Sequence, residues 1–442
     1  MNEFQVILSY PLLDRITRLL PGDQPVYLVG GAIRDALLRR PYYDLDFVLP
    51  GNAMKLARRI GDAIGAAYFP LDTHRNMARL VLLPDESVDG LRINPRRIDF
   101  STFQGVDLIS DLQGRDFTMN AMAVEVHKLG ELIDPLGGVT DLAAKRLKAC
   151  AQQSIINDPV RILRAVRLSV ELELRIEPQT LEFIKQGVHF LPEVSSERLR
   201  DELFRILLLP NSSSAIRILD KLDALVHVLP EVTKLKNIQQ SPPHIMNAWE
   251  HTLEVLVQLD FLLNILAEEY NQDLAGNLTM GLVGLRLGRY RQQLMDYYKK
   301  SITPDRPQRG LLYLAGLYHD VGKVKAQKVE EDGKIRFIEH EQIGSKFVEK
   351  RGKALKLSNQ EIEHLMMIVK HHMRLGLLSR SNELPSKKAI YRFFRDTGEA
   401  GIDICILSMA DILATYGPTL PQERWARHLD VIREMMDAWW ED

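Results

Sequence analysis

One short stretch near the start of the chain constrains it most. A β-type run, Val26-Tyr27-Leu28-Val29, is cut off by Gly30-Gly31 and followed by a helical segment, Ala32 to Arg40. A second strand then carries Asp44-Leu45-Asp46. Paired glycines after a strand let backbone N–H groups approach a phosphate, and the helix that follows offers its N-terminus. Asp44 and Asp46 alternate with Leu45 along a strand, so they share a face. Neighbouring carboxylates repel unless a divalent cation lies between them, and oxygen ligands with substrate phosphates are the usual way Mg²⁺ is held. Two such ions about 3.5–4 Å apart clamp both oxygens of an in-line phosphoryl displacement. Asp99, on another predicted strand, is a candidate third carboxylate. Taken alone, the glycines make a turn and the aspartates a solvated strand edge; their order and spacing together point to a metal–nucleotide site.

The surrounding sequence divides into three textures. Residues 1–150 mix strand and helix signals: a helix over 52–65 and strands at Leu45–Leu49, Ala78–Leu83, Arg97–Phe103 and Ala121–His127, an α/β domain with a small mixed sheet. Residues 151–240 read as helical, with Pro159 in a first turn, an apolar face at Ile162, Leu163, Val166 and Val170, and a second helix from Glu197 to Leu209 stopped by Pro210. Ser241-Pro242-Pro243 is the clearest linker signal. Residues 241–442 are again helix-rich and hold seven of the twelve histidines between His244 and His372, which suggests a separate domain with its own site. The fold class is therefore α+β at the front and all-α behind. With 45% hydrophobic residues the chain has material for sizeable cores, and a net charge of −2 excludes a generally basic nucleic-acid binder while leaving room for a local patch. Two cysteines, Cys150 and Cys405, make neither a disulfide framework nor a cysteine-rich zinc site. The first residues read as neither signal peptide nor membrane span, so the expectation is a cytoplasmic chain with no membrane partner.

Five motifs in order then carry a resemblance. Gly30-Gly31-Ala32-Ile33-Arg34-Asp35 with Asp44-Leu45-Asp46 resembles the first motif of the class II tRNA nucleotidyltransferase and bacterial poly(A) polymerase family. Arg115-Asp116-Phe117-Thr118-Met119-Asn120-Ala121 resembles its second, and Ile133-Asp134-Pro135-Leu136-Gly137-Gly138 with Asp141-Leu142 its third. Asp158-Pro159-Val160-Arg161-Ile162-Leu163-Arg164 resembles the fourth, and Glu197-Arg198 with Glu202-Leu203 the fifth. The resemblance implies a polymerase-β-like nucleotidyltransferase head, a helical neck and body, and an enzyme in which a tRNA 3′-hydroxyl attacks the α-phosphate of a nucleotide and pyrophosphate leaves. It implies that Asp44 and Asp46 hold Mg²⁺ with Asp99 as helper. It places Gly30, Gly31 and Arg34 on the triphosphate, and Arg115, Asp116 and Asn120 near ribose and phosphates. Arg164 completes the nucleotide-binding set.

Base choice follows from donor and acceptor groups. Cytosine and adenine each show an amine donor beside a ring-nitrogen acceptor; Asp158 can accept from the first and Arg161 donate to the second. Uracil and guanine oppose both groups. Asn157 stands where the family usually has Glu, and Gly114 where it often has a second Arg. More telling is the connector between Phe103 and Arg115, which is only the eleven residues Gln104 to Gly114. CCA-adding members carry a long flexible loop there, associated with the change from CTP to ATP; members lacking it are CC-adding. The reading is therefore CC addition from CTP, with a separate A-adding enzyme acting in sequence. The alternatives are full CCA addition with CTP and ATP, aided by the insert at Asp85 to Arg96, then A addition, then a poly(A) polymerase. The last is disfavoured because no basic C-terminal extension is present. Arginines 161, 164, 167, 198, 200 and 205 form the local basic cluster, some expected to face tRNA phosphates and others to pair with nearby acids.

In the last region, His319-Asp320 follows an apolar helix, with His251 upstream and Asp411 downstream. This resembles the HD metal-dependent phosphohydrolase domain, and implies that these four side chains hold a divalent metal such as Mn²⁺, Ni²⁺ or Mg²⁺. His340 and His371 are the expected extension to a second metal, while His364 and His372 read as structural or exposed. A different class of function, a metal phosphohydrolase with an RNA-binding head, competes with the transferase reading.

Overall fold

The computed structural model describes residues 11–441 apart from 23, 43, 83–96, 129–130, 268–277, 305 and 382. The insert Asp85 to Arg96 lies outside the described residues. The chain forms two compact units, one of residues 1–161 and 172–187, the other of residues 162–171 and 188–442.

The first unit is built on a mixed sheet. Among the described residues its strands are β1 (Tyr27–Val29), β2 (Asp44–Leu49), β3 (Ala67–Asp72), β4 (Met77–Val81), β5 (Arg97–Thr102), β6 (Ala123–Glu125) and β7 (Leu132–Ile133). They lie in the order β3-β4-β5-β2-β1-β6-β7. Only β2 and β5 run parallel; the other pairs are antiparallel. Alternation along β2 explains the layout. Leu45, Phe47 and Leu49 enter a core with Leu28, Leu80, Ile98 and Phe100, covered by the helices Pro11–Leu19, Gly31–Leu37 and Ala53–Ile64. Phe47 and Phe100 stack there with ring centres 5.1 Å apart. The helix Ala53–Ile64 is capped by Asn52, which accepts from the Lys55 N–H at 2.9 Å. On the opposite face of β2, Val48 joins a smaller core with Val29, Leu108, Leu112, Ala121 and Ala123, and Asp44 and Asp46 project beside it. Strand β3 lacks a clear sequence signal; Pro70 breaks its pattern, and its place at the sheet edge is where a strand tolerates proline.

The second unit is helical. The helix expected from Glu197 to Leu209 spans Ser196–Leu207, with Ser195 as its N-cap. Ser241-Pro242-Pro243 does not divide compact units, since residues on both sides belong to this one. Side chains from before the prolines are locked to helices after them. Glu231 accepts from Arg351 at 2.8 and 3.0 Å and from the Tyr318 hydroxyl at 2.9 Å. Arg217 pairs in the same two-pronged way with Glu250, at 2.7 and 2.9 Å. Burial pushes the Glu231 carboxyl up, but the Arg351 guanidinium reverses this and leaves it below its ordinary value. Its contribution to stability is therefore present above the unfolded-state carboxyl pKa and lost as pH falls through the folded one. Glu231→Ala strands a largely buried guanidinium and is expected to cost about 3–5 kcal/mol. Urea unfolding followed by tryptophan fluorescence checks this selectively, because Trp249, Trp425, Trp439 and Trp440 all lie in this unit.

The segment Ala400–Thr419, most of it the helix Ala400–Tyr416, is long and apolar enough to cross a membrane, yet 83% of its most apolar stretch is buried within the protein, as expected of a core helix.

Candidate active site and metal centre

Sheet register sets out the first site. Val29 of β1 is paired with Asp46 of β2, Asp46 with Asp99 of β5, and Asp99 with Arg79 of β4. Residues paired across neighbouring strands share a face. Asp44, Asp46 and Asp99 therefore stand on one side of the sheet, as expected. The environment of Asp99 was not legible in the sequence: Arg79 donates to both of its oxygens, at 2.8 and 2.7 Å. The hydrogen bond to Asp99, with Asp44 and Asp46 nearby, raises the Arg79 pKa. Asp44 and Asp46 retain the arrangement that favours a divalent cation, two carboxylates on one strand face.

Gly30 lies at the edge of this row with φ of +80°. A Cβ there would sit 3.2 Å from Asp46 Oδ2 and 3.5 Å from Arg115 Nη1, so the first glycine keeps the cleft open between them. The first two motifs then interlock. Arg34 grips Asp35 with two bonds of 2.9 Å and donates to Asn120 Oδ1 at 2.8 Å. Asn120 donates to Asp116 Oδ1 at 3.1 Å, and that oxygen also accepts from the Phe117 N–H at 2.7 Å. Arg34, Asp116 and Asn120 are thus one buried polar chain. The third motif braces it: Asp141 accepts from Thr118 Oγ1 at 2.8 Å, and Asp134 accepts from the N–H groups of Gly138 and Val139.

Asp158 and Arg161 lie together as the spacing implies, 3.5 Å apart at the start of the helix Val160–Glu171. Arg161 also donates to the carbonyls of Gly114 and Ser154 at 3.0 and 3.1 Å. Arg164 follows one turn later on the same helix. The basic cluster separates into roles: Arg167 and Arg205 both bond Glu202, and Arg200 bonds Asp201 and the Lys356 carbonyl.

The second unit gathers His251, His319, Asp320 and Asp411 as expected. His251 Nε2 is 3.0 Å from Asp411 Oδ1 and 3.6 Å from Asp320 Oδ2, and His319 Nε2 is 3.3 Å from Asp320 Oδ2. The second triad differs from the expectation. His340 is present, 3.4 Å from the other Asp320 oxygen, but its partner is His372, 3.4 Å away, not His371. Adjacent helical residues point about 100° apart. The buried face at Ile362, Leu365 and Val369 continues to His372 and leaves His371 half-buried beside Lys370 and Arg374. That apolar spacing was the available signal. His364 is structural, 2.7 Å from Asp403, which also accepts from Tyr297.

Three of these imidazoles are oriented by the backbone. His319, His340 and His372 each place Nδ1 2.7–2.8 Å from a carbonyl, of Gly316, Phe337 and Val369 respectively. A carbonyl only accepts, so Nδ1 carries the proton and Nε2 turns a lone pair to the centre. Burial pushes His372 down to about 3, keeping it neutral and ready to ligate. For Asp320 burial acts upward, but Lys323, His319 and His340 outweigh it and hold the carboxyl well below the usual range. Burial acts to lower the His319 pKa, but Asp320 and Asp411 more than offset this and raise it. Each triad, His251–His319–Asp320 and Asp320–His340–His372, has ligand atoms within 4.8 Å of one another, and Asp320 belongs to both. This donor set fits borderline divalent metals. Gly322 makes the assembly feasible: a Cβ there would lie 1.8 Å from the His340 carbonyl oxygen. Lys323, which the sequence reading gave no role, places its ammonium 2.6 Å from Asp320 Oδ2 and 2.6 Å from Gln240 Oε1. The centre opens on a cavity of about 630 Å³ lined in part by His244, Arg336, Arg380 and Arg424.

A glycine-edged acidic row on a small mixed sheet, followed by helices and a His/Asp cage, defines the class as a nucleotidyltransferase head joined to an HD-type unit. Residues 26–148 match the poly A polymerase head domain family, 173–236 the probable RNA- and SrmB-binding site of polymerase A, and 249–416 the HD domain. The A-adding tRNA nucleotidyltransferase of Deinococcus radiodurans is 30% identical over 91% of this chain and 79% of its own. The CC-adding tRNA nucleotidyltransferase of Thermus thermophilus is 29% identical over 92% and 80%. That of Geobacter sulfurreducens is 40% identical over 206 residues, 46% of each chain. The chain belongs to the tRNA nucleotidyltransferase family, and it is an enzyme. The fold agrees with that of Thermotoga maritima CCA-adding enzyme complexed with tRNA: TM-score 0.58, 21% identity, 99% of this chain and 86% of the other covered. It also agrees with a tRNA-processing enzyme with CTP: TM-score 0.57, 23% identity, 94% and 97% covered.

Proposed function

We propose that the protein extends the 3′ end of tRNA with cytidines from CTP. The tRNA 3′-oxygen bonds to the α-phosphorus, the bond to the leaving pyrophosphate breaks, and addition stops after two residues. Asp44 and Asp46 would hold Mg²⁺, which when bound supplies positive charge against the reacting phosphate. Gly30 and Gly31 let the triphosphate pass close to the backbone, and the Arg34–Asn120–Asp116 chain holds its donors in one setting. Asp158 and Arg161 admit cytosine by accepting from its amine and donating to its ring nitrogen, and they oppose uracil and guanine. Asp99, held by Arg79, acts beside the metal carboxylates as their helper.

The observation that carries the CC reading is the connector. Relatives with CC-adding, A-adding and multifunctional CCA names all align with this chain, so similarity alone does not choose among them. Residues 104–114 leave no length for a long mobile loop. Leu108–Gln113 is a helix with a reciprocal cap between Asp107 and Ser110. A separate A-adding enzyme would then complete the end.

The expected result with Mg²⁺, CTP and ATP is two additions to a tRNA transcript ending at the discriminator base, and none to one already ending in CC, read as product length on a sequencing gel. Three additions would assign full CCA synthesis instead.

The His/Asp cage supports a second reading for the other unit, a metal-dependent phosphohydrolase with an ion in each triad. Mn²⁺, Ni²⁺ and Mg²⁺ are the metals to test, with Lys323 and the cavity arginines facing the phosphate. Phosphomonoesters and 2′,3′-cyclic phosphates are the substrates to try.

A further inference from the structure

We propose that Asp111 is the positioning residue that aims Arg115 at the phosphates of the bound nucleotide; this rests on the reading of the Asp44/Asp46 row as the metal–nucleotide site. Asp111 belongs to the connector helix, and both of its oxygens are engaged. Oδ1 accepts from the Gln104 N–H at 2.9 Å, at the connector's start just past β5. Oδ2 accepts from Arg115 Nε at 3.2 Å and Nη2 at 3.1 Å. The carboxylate is buried, 5% exposed, so it is a fixed post and not a solvated surface partner.

The consequence lies on the far edge of the guanidinium. A guanidinium is planar, with its five N–H donors in a fixed fork. With Nε and Nη2 occupied by one carboxylate, the direction of Nη1 is determined. It is the Arg115 atom found 3.5 Å from the position of a Gly30 Cβ, the same point that lies 3.2 Å from Asp46 Oδ2. The remaining donor edge therefore faces the gap between the glycine turn and the metal carboxylates, where a triphosphate must pass. A connector of this length does more than omit a loop. It runs from β5 to Arg115 as a capped strut, with Asp111 joining its two ends.

Asp111→Asn separates this role from a merely structural one. The amide oxygen can still accept from Gln104, while the other position becomes a donor that opposes Arg115. CTP-dependent extension of tRNA would be measured for the wild type, Asp111→Asn, Arg115→Gln and the double variant, with melting temperatures alongside. The expected result is a rise of about ten- to hundredfold in KM for CTP in either single variant. The double variant should be no worse than Arg115→Gln alone, since both changes remove one interaction. Losses that multiply in the double variant, or an unchanged KM in Asp111→Asn, would overturn the proposal while leaving the head's function intact. A wild-type chain that incorporates nothing would overturn the reading of the head, and the proposal with it.

Discussion

Asp46→Ala is expected to abolish cytidine addition, with a rate at least about a thousandfold below wild type and an unchanged fold. The residue is half-buried in the centre of the acidic row, paired in register with Asp99 on one side and Val29 on the other. Its removal takes away half of the carboxylate pair that would hold the cation. A metal's stabilisation of phosphoryl transfer is worth several kcal/mol, and each 1.36 kcal/mol is about tenfold in rate. The backbone of β2 is held by both neighbours, and the core side chains Leu45, Phe47 and Leu49 face the other way, so the strand survives. Product length on a gel, with the melting temperature as control, checks this. A variant that still adds two cytidines at a comparable rate would show that the acidic row is not the reacting centre. Retained metal-dependent phosphatase activity in the same variant would separate the two sites.

Asp320→Ala carries the second large effect. Because Asp320 presents one oxygen to His251 and His319 and the other toward His340 and His372, it serves both triads. Metal analysis after equilibration with Mn²⁺, in an Asp46→Ala background that removes the head's site, should find two ions per chain with Asp320 present. It should find none in Asp320→Ala and one in His372→Ala. One ion in the parent and none in His372→Ala would mean a single, differently centred site. The metal-free variant should also be less stable by about 3–5 kcal/mol, since the buried Lys323 loses its carboxylate partner and keeps the neutral Gln240 and the Phe337 ring. The same tryptophan-monitored urea titration reads that loss.

Much of the head was legible because its signals are local. A strand's two-residue period puts Asp44 and Asp46 on one face wherever the strand lies, and the glycine turn, the following helix and the apolar side of β2 obey rules that span a few residues. Motif order carried the rest of the family reading. Arg79 was not legible, because it meets Asp99 through strand pairing across a segment whose length and course no local pattern sets. In the second unit the histidine count and the His-Asp pair announced a metal site. Choosing His372 over His371 needed the phase of one helix against its neighbours, readable from Ile362, Leu365 and Val369 only once that face is taken as the buried one.

By itself, then, the sequence determined which chemical groups the chain carries, which faces of its strands and helices are apolar, and the family to which that ordered set belongs. Tertiary structure alone decided which of those groups meet. Asp320 bridges two triads because Gly322 lets the backbone of His340 approach closely. The Ser241-Pro242-Pro243 segment lies between the RNA-binding and HD matches yet does not part compact units, because Glu231 and Arg217 bind side chains beyond it. Asp111 reaches Arg115 and the connector's start at once because a capped helix folds eleven residues back on themselves. In each case the deciding contact is a hydrogen bond or a close approach between residues whose separation is set by packing, and packing depends on the whole fold and not on the spacing of any one motif.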